Sequence, residues 1–142
     1  MSLDPKIELK IQQQIRQAED DLVKLIQDAL DKKDSYGDLE ESQFRNLVRV
    51  ASTTESVEVI KNFLLYQVGR DKKWGRGDDS LAQNIIKDIK TPIKEKAQAI
   101  SQATSNEQFK RIWLELIRRY LGYGSRYLKY IKNDGEEKKK KA

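Results

Sequence analysis

Apolar residues in this chain recur at helical spacing almost from end to end, and that periodicity constrains the fold more than any other feature. Ile7, Ile11, Ile15, Ala18, Leu22, Leu25 and Ala29 follow one another at steps of four and three. Residues so spaced share one stripe of an α-helix, here predicted from about Pro5 to Leu30, with Asp4 as its cap and Pro5 at its first position. "DKKDSYGD" breaks the pattern. Asp38 with Glu41 reads as a variant capping box opening a helix that carries Phe44, Leu47, Val48 and Ala51. Ser52 with Glu55 restarts the signal for Val57, Ile60, Phe63, Leu64 and Val68, which ends at Gly69. Leu81, Ile85 and Ile89 mark the next helix, with Asp78 or Asp79 as its cap. Pro92 removes a backbone donor and crowds the preceding turn, so a kink or break is expected at Thr91–Pro92, followed by a helix with Ile93, Ala97 and Ile100.

The last helix is predicted from about 106 to 132, opened by Ser105 and Gln108. On a wheel of about 100° per residue, Phe109, Ile112, Trp113, Leu116 and Tyr120 make one stripe, and Tyr123, Tyr127, Tyr130 and Ile131 continue it in phase. Two readings of Gly122 and Gly124 stay open. The helix ends at Gly122 and restarts at Ser125, or it continues and the glycines admit a close neighbour, either a second helix or a sugar–phosphate backbone. No segment alternates as a strand should, and no solenoid repeat stands out. The expectation is all-α: a single-domain bundle of five to six helices over residues 1–132, then a charged tail at 133–142 expected to be disordered.

Composition narrows the chemistry. The chain has no cysteine and no histidine, which removes disulfides, thiolate metal sites, the commonest zinc ligand and the usual general base. No enzyme activity, metal or cofactor is expected. No apolar run approaches the ~20 residues of a membrane span and no secretory leader is visible, so the expected location is cytoplasmic.

Charge is segregated. Residues 1–41 hold six basic and eleven acidic groups, net −5, and the remainder carries +10. "GRDKKWGRG" at 69–77 is +3, and 109–132 is +6. Separation this strong suggests a polyanionic partner. On the last helix Arg111, Arg118 and Lys129 align within about 20° opposite the aromatic stripe, with Arg119 and Arg126 beside them. In the loop, Arg70, Lys72, Lys73 and Arg76 surround Trp74, a combination suited to neutralising phosphates and stacking a base. Trp74 could equally fold inward as a core residue.

Three stretches resemble the small helical subunit of type III CRISPR effector complexes. "LEESQFRNLVRVA" is similar to that family's T-x-S-Q-I-R-x-hydrophobic helix opening. "VGRDKKWGRG" is similar to its basic middle region, and F-x-x-x-W-x-x-L-I-R-R-Y-L-G-Y-G to its apolar, then aromatic and glycine-rich, closing helix. Together they cover roughly residues 39 to 131. The resemblance implies an all-helical, non-catalytic subunit that stacks beside other effector-complex subunits and contacts guide–target RNA, with nuclease activity elsewhere. It implies backbone-contacting roles for Arg45 and Arg49 on the second helix and for Arg118, Arg119 and Arg126 on the last, indifferent to base sequence. The partner is thus expected to be single-stranded RNA or a guide–target duplex. Docking of the acidic segment of one copy on the basic part of the next would allow head-to-tail self-association. The alternative is a helical protein–protein adaptor without nucleic-acid binding.

Overall fold

The computed structural model describes residues 3–133 in full and, from 134 to 141, only the course of the last helix. The expected disordered tail at 133–142 therefore lies outside the described residues, apart from Asn133. Every described element is helical: α1 Pro5–Asp31, α2 Glu41–Thr53, α3 Val57–Arg70, α4 Leu81–Asp88, α5 Lys94–Ala103 and α6 Phe109–Lys141. A π-turn, Ile89–Ile93, joins α4 to α5, and short 3-10 turns occupy Lys33–Ser35 and Asn106–Gln108.

Local signals set most of these bounds. The Asp4 carboxylate accepts the Lys6 amide at 2.8 Å, ahead of Pro5. The second helix starts later than its acidic lead-in suggests, because the reciprocal bond comes from Gln43, whose Oε1 accepts the Glu40 amide at 2.9 Å. Asp38 is drawn away to Lys132 instead, at 3.2 Å. Ser56 and Ser80, rather than Ser52 and the aspartates 78 and 79, cap α3 and α4 through the Val59 and Gln83 amides. At the start of α6 the expected Ser105–Gln108 box is replaced by the 3-10 turn, and the helix proper begins at Phe109. Pro92 does not break its helix. The backbone absorbs the missing donor by widening into the π-turn, and the Trp113 indole donates to the Ile89 carbonyl there at 2.9 Å.

The last helix is the axis of the bundle. Ile112, Leu114, Leu116, Ile117, Tyr120, Leu121 and Leu128 are all buried, an arc of roughly 200° that is wider than the single aromatic stripe in the sequence. Contacts follow α1 in the same direction: Glu8 meets Arg111, Glu19 meets Arg119 and Tyr123, and Asp31 meets Tyr127. Against α2 the order reverses, with Phe44 at Gly124 and the Ala51 carbonyl at Arg118. The α4–α5 unit covers the remaining side, where the buried Tyr120 hydroxyl donates to Asp88 at 2.7 Å. Burial first, and then the neighbouring Asp88 charge, pushes that phenol well above its ordinary pKa.

The loop before α4 is pinned to the linker before α2. The Gly37 amide donates to the Lys73 carbonyl at 3.0 Å. Gly75 adopts φ +85°, and a Cβ there would lie 2.0 Å from the Ser35 carbonyl oxygen, so only glycine fits. This crossing drives Trp74 inward. The ring is fully buried and stacks on Phe44 at 5.7 Å between centroids.

Candidate nucleic-acid interface

α6 runs unbroken through both glycines, which have opposite surroundings. A Cβ on Gly124 would lie 2.6 Å from Ile26 Cγ1 and 2.7 Å from Phe44 Cζ. That glycine lets three helices meet. A Cβ on Gly122 would meet nothing within 4 Å. Gly122 lies on the arc of α6 left open between α1 and α2. Arg118 stands one turn before it, Arg126 one turn after, and Lys129 a further turn on. By helix geometry these four positions share a strip about 80° wide and about 17 Å long.

The five cations expected to form one row have three fates. Arg111 and Arg119 are bound by the chain's own carboxylates. Arg111 makes a bidentate pair with Glu8, at 2.7 and 3.2 Å. The Arg111 hydrogen bond holds the Glu8 carboxyl below its usual range. Arg119 is shared between Glu19 and Glu115. Arg118 makes no ion pair among the described residues; it donates to the Ala51 and Thr54 carbonyls at 2.8 and 2.9 Å, which satisfies the C-terminal end of α2, and it shares a cleft with Glu55 and Glu107. Only Arg126 and Lys129 are exposed with no hydrogen-bond or ion-pair partner among the described residues. The row expected from the sequence is therefore corrected to a shorter cationic patch around Gly122. The cause is the acidic first helix, which meets α6 within one molecule rather than leaving all of its charge for a partner.

The other predicted positions lie on other elements. Arg45 and Arg49 are exposed on α2, and Arg49 donates to Asn46 at 3.0 Å. Arg70 is exposed at the end of α3. Trp74 is not a stacking platform, since none of its surface is accessible. Lys72 and Arg76 are exposed and line a cleft of about 930 Å³ with Lys32 and Lys33, but Asp31, Asp34 and Asp79 share its walls. Lys73 is half-buried beside the loop crossing. With four basic groups against three acidic ones on its walls, the cleft keeps little of the net positive charge read from 69–77.

The aromatic stripe divides as well. Tyr123 and Tyr127 donate to Glu19 and Asp31 at 2.7 and 2.6 Å, which fixes their rings against α1. The hydrogen bond to Asp31 raises the Tyr127 phenol to about 12. Tyr130, expected on the buried seam, is 63% exposed, because α1 ends at Asp31 and α6 continues past it. Its ring stacks on Tyr127 at 6.0 Å between centroids.

No protein-family model, curated protein or solved structure matches the chain. Arg16, exposed on α1, is a further cation outside the row expected on α6. Its position on the wheel, on the same flank as Glu8, Glu19 and Val23, is the signal that would have found it.

Proposed function

We propose that the chain is a non-catalytic RNA-binding subunit of a type III CRISPR-like effector ribonucleoprotein, and that it seats a sugar–phosphate backbone on α6 at Gly122. The supporting observation is the open helix backbone at Gly122, with Arg118, Arg126 and Lys129 around it. A glycine inside a helix is unfavourable by about 1 kcal/mol relative to alanine. Gly124 has a packing reason for that cost and Gly122 has none among the described residues. A phosphate chain drawn to the three cations can approach the helix closely there, which a side chain would prevent. The motif resemblance supplies the class of complex, and the absence of histidine and cysteine from the sequence favours binding over catalysis.

Fluorescence anisotropy with labelled single-stranded RNA tests this reading. Arg126→Glu with Lys129→Glu should abolish binding and leave helicity intact. Binding equal to wild type in that double variant refutes the reading. Arg118 is not a suitable reporter, because its reversal would also strip the end of α2.

A second reading, the protein adaptor, is favoured by the outer face of α3, where Val59 and Tyr66 are 47% and 61% exposed. They lie seven residues apart on one side of the helix. A Val59→Ser/Tyr66→Ser variant that loses salt-resistant self-association in size-exclusion chromatography, yet binds RNA normally, would support this role.

A further inference from the structure

The α1–α6 groove next to the cationic patch has a shape and lining that the backbone-binding reading leaves unused. It is a shallow, open groove of about 260 Å³, lined by Val23, Gln27, Tyr123, Arg126, Tyr127 and Tyr130. That is below the usual range for a drug-sized ligand and is suited to one planar ring system. Two of its three tyrosines are tethered, because each donates its hydroxyl to a carboxylate of α1: Tyr123 to Glu19, and Tyr127 to Asp31. The third, Tyr130, stacks on Tyr127 with ring planes 25° apart and leaves 63% of its surface in solvent. The platform is therefore preorganised on its inner side and open on its outer side. Arg126 lies in the same groove with no partner among the described residues, placing a free guanidinium at its edge.

From this arrangement we infer that the groove receives one unpaired nucleobase of the bound strand. The base would stack on the Tyr127–Tyr130 pair, with Arg126 on the adjoining phosphate. The Gln27 amide offers both a donor and an acceptor to the base edge, so it restricts orientation without selecting one base. This inference rests on the reading of α6 as the nucleic-acid face. It adds that part of the affinity comes from bases, in a manner tolerant of sequence, because every base has a face to stack.

The test compares a single-stranded RNA with the same strand carrying abasic sites, measured by anisotropy at one salt concentration. Wild-type protein should bind the base-bearing strand about tenfold more tightly, the scale of one base–aromatic stack. Tyr130→Ala should bring the two strands to near-equal affinity. Tyr130→Trp should restore the difference. A 2-aminopurine in the strand should be quenched by wild type and not by Tyr130→Ala. The inference is overturned if wild type binds both strands equally, or if Tyr130→Ala keeps the tenfold difference, and the backbone reading survives either result. Failure of wild type to bind either strand removes both.

Discussion

The two glycines of α6 give a prediction in which one substitution, made twice, has opposite effects. Gly122→Ala gains helix propensity and meets no atom within 4 Å, so it should stabilise the fold by about 1 kcal/mol. Gly124→Ala gains the same propensity but places a methyl 2.6 Å from Ile26 and 2.7 and 2.9 Å from the Phe44 ring. That ring has nowhere to retreat. It is fully buried and stacked on Trp74, which the Gly75 crossing holds in place. Overpacking of this kind typically costs about 1–3 kcal/mol, so the net change is a loss of about 1 kcal/mol and the two variants should differ by about 2 kcal/mol. Thermal melts followed by circular dichroism should show the midpoint rising by about 3 °C for Gly122→Ala and falling by a similar amount for Gly124→Ala. Equal stabilisation by both would mean that α6 does not lie against Phe44 and Ile26, and the packing argument would fail. RNA affinity supplies the second half of the test. Gly122→Ala should weaken binding while it raises stability, a combination that helix propensity alone cannot produce.

Trp74→Ala should lower stability by about 3–5 kcal/mol in urea titrations, as for a fully buried aromatic, and an effect confined to RNA affinity would contradict its core position. Arg118→Ala removes two charged-donor bonds to the end of α2, so it should lower stability by about 1.5–3 kcal/mol, while Arg126→Ala should stay within about 0.5 kcal/mol. Acid should weaken the α1–α6 clamp. Glu8 has a folded-state pKa below its unfolded value, so its contribution is present above the unfolded pKa and is lost as pH falls through the folded one. Urea midpoints measured downward from pH 6 should fall below about pH 4, less steeply in Glu8→Gln, and identical profiles would refute the clamp.

The fold was largely legible because the apolar periodicity of Ile7 to Ala29 and of Phe109 to Tyr127 is set by burial, which acts on each helix separately. An irregularity at Pro92 is legible because its missing donor has only local remedies, but the form it takes, a π-turn that carries the helix through rather than a break, is not. The observed caps Glu40, Ser56 and Ser80 lie one to four residues beyond those expected, because several polar residues compete at each helix start and the local sequence does not rank them. The site was less legible. A helical wheel places Arg111 and Arg119 on the polar side of α6 but is silent on which helix lies alongside. Only the parallel docking of α1 brings Glu8 and Glu19 within reach of them. Trp74 was ambiguous because its burial depends on the contact between Gly75 and Ser35, forty residues apart in sequence. Gly122 and Gly124 look alike in the sequence, and their different roles follow from which side of the helix each one faces.

Phosphate binding at Gly122 with Arg118, Arg126 and Lys129, as proposed, would make RNA affinity fall with salt. Three phosphate contacts on a single strand predict a slope of about −2 for the logarithm of the association constant against that of salt concentration. Arg126→Gln with Lys129→Gln should reduce the slope to about −0.7, with the melting midpoint unchanged. A double variant with the wild-type slope and affinity would show that the strand, if bound at all, lies elsewhere.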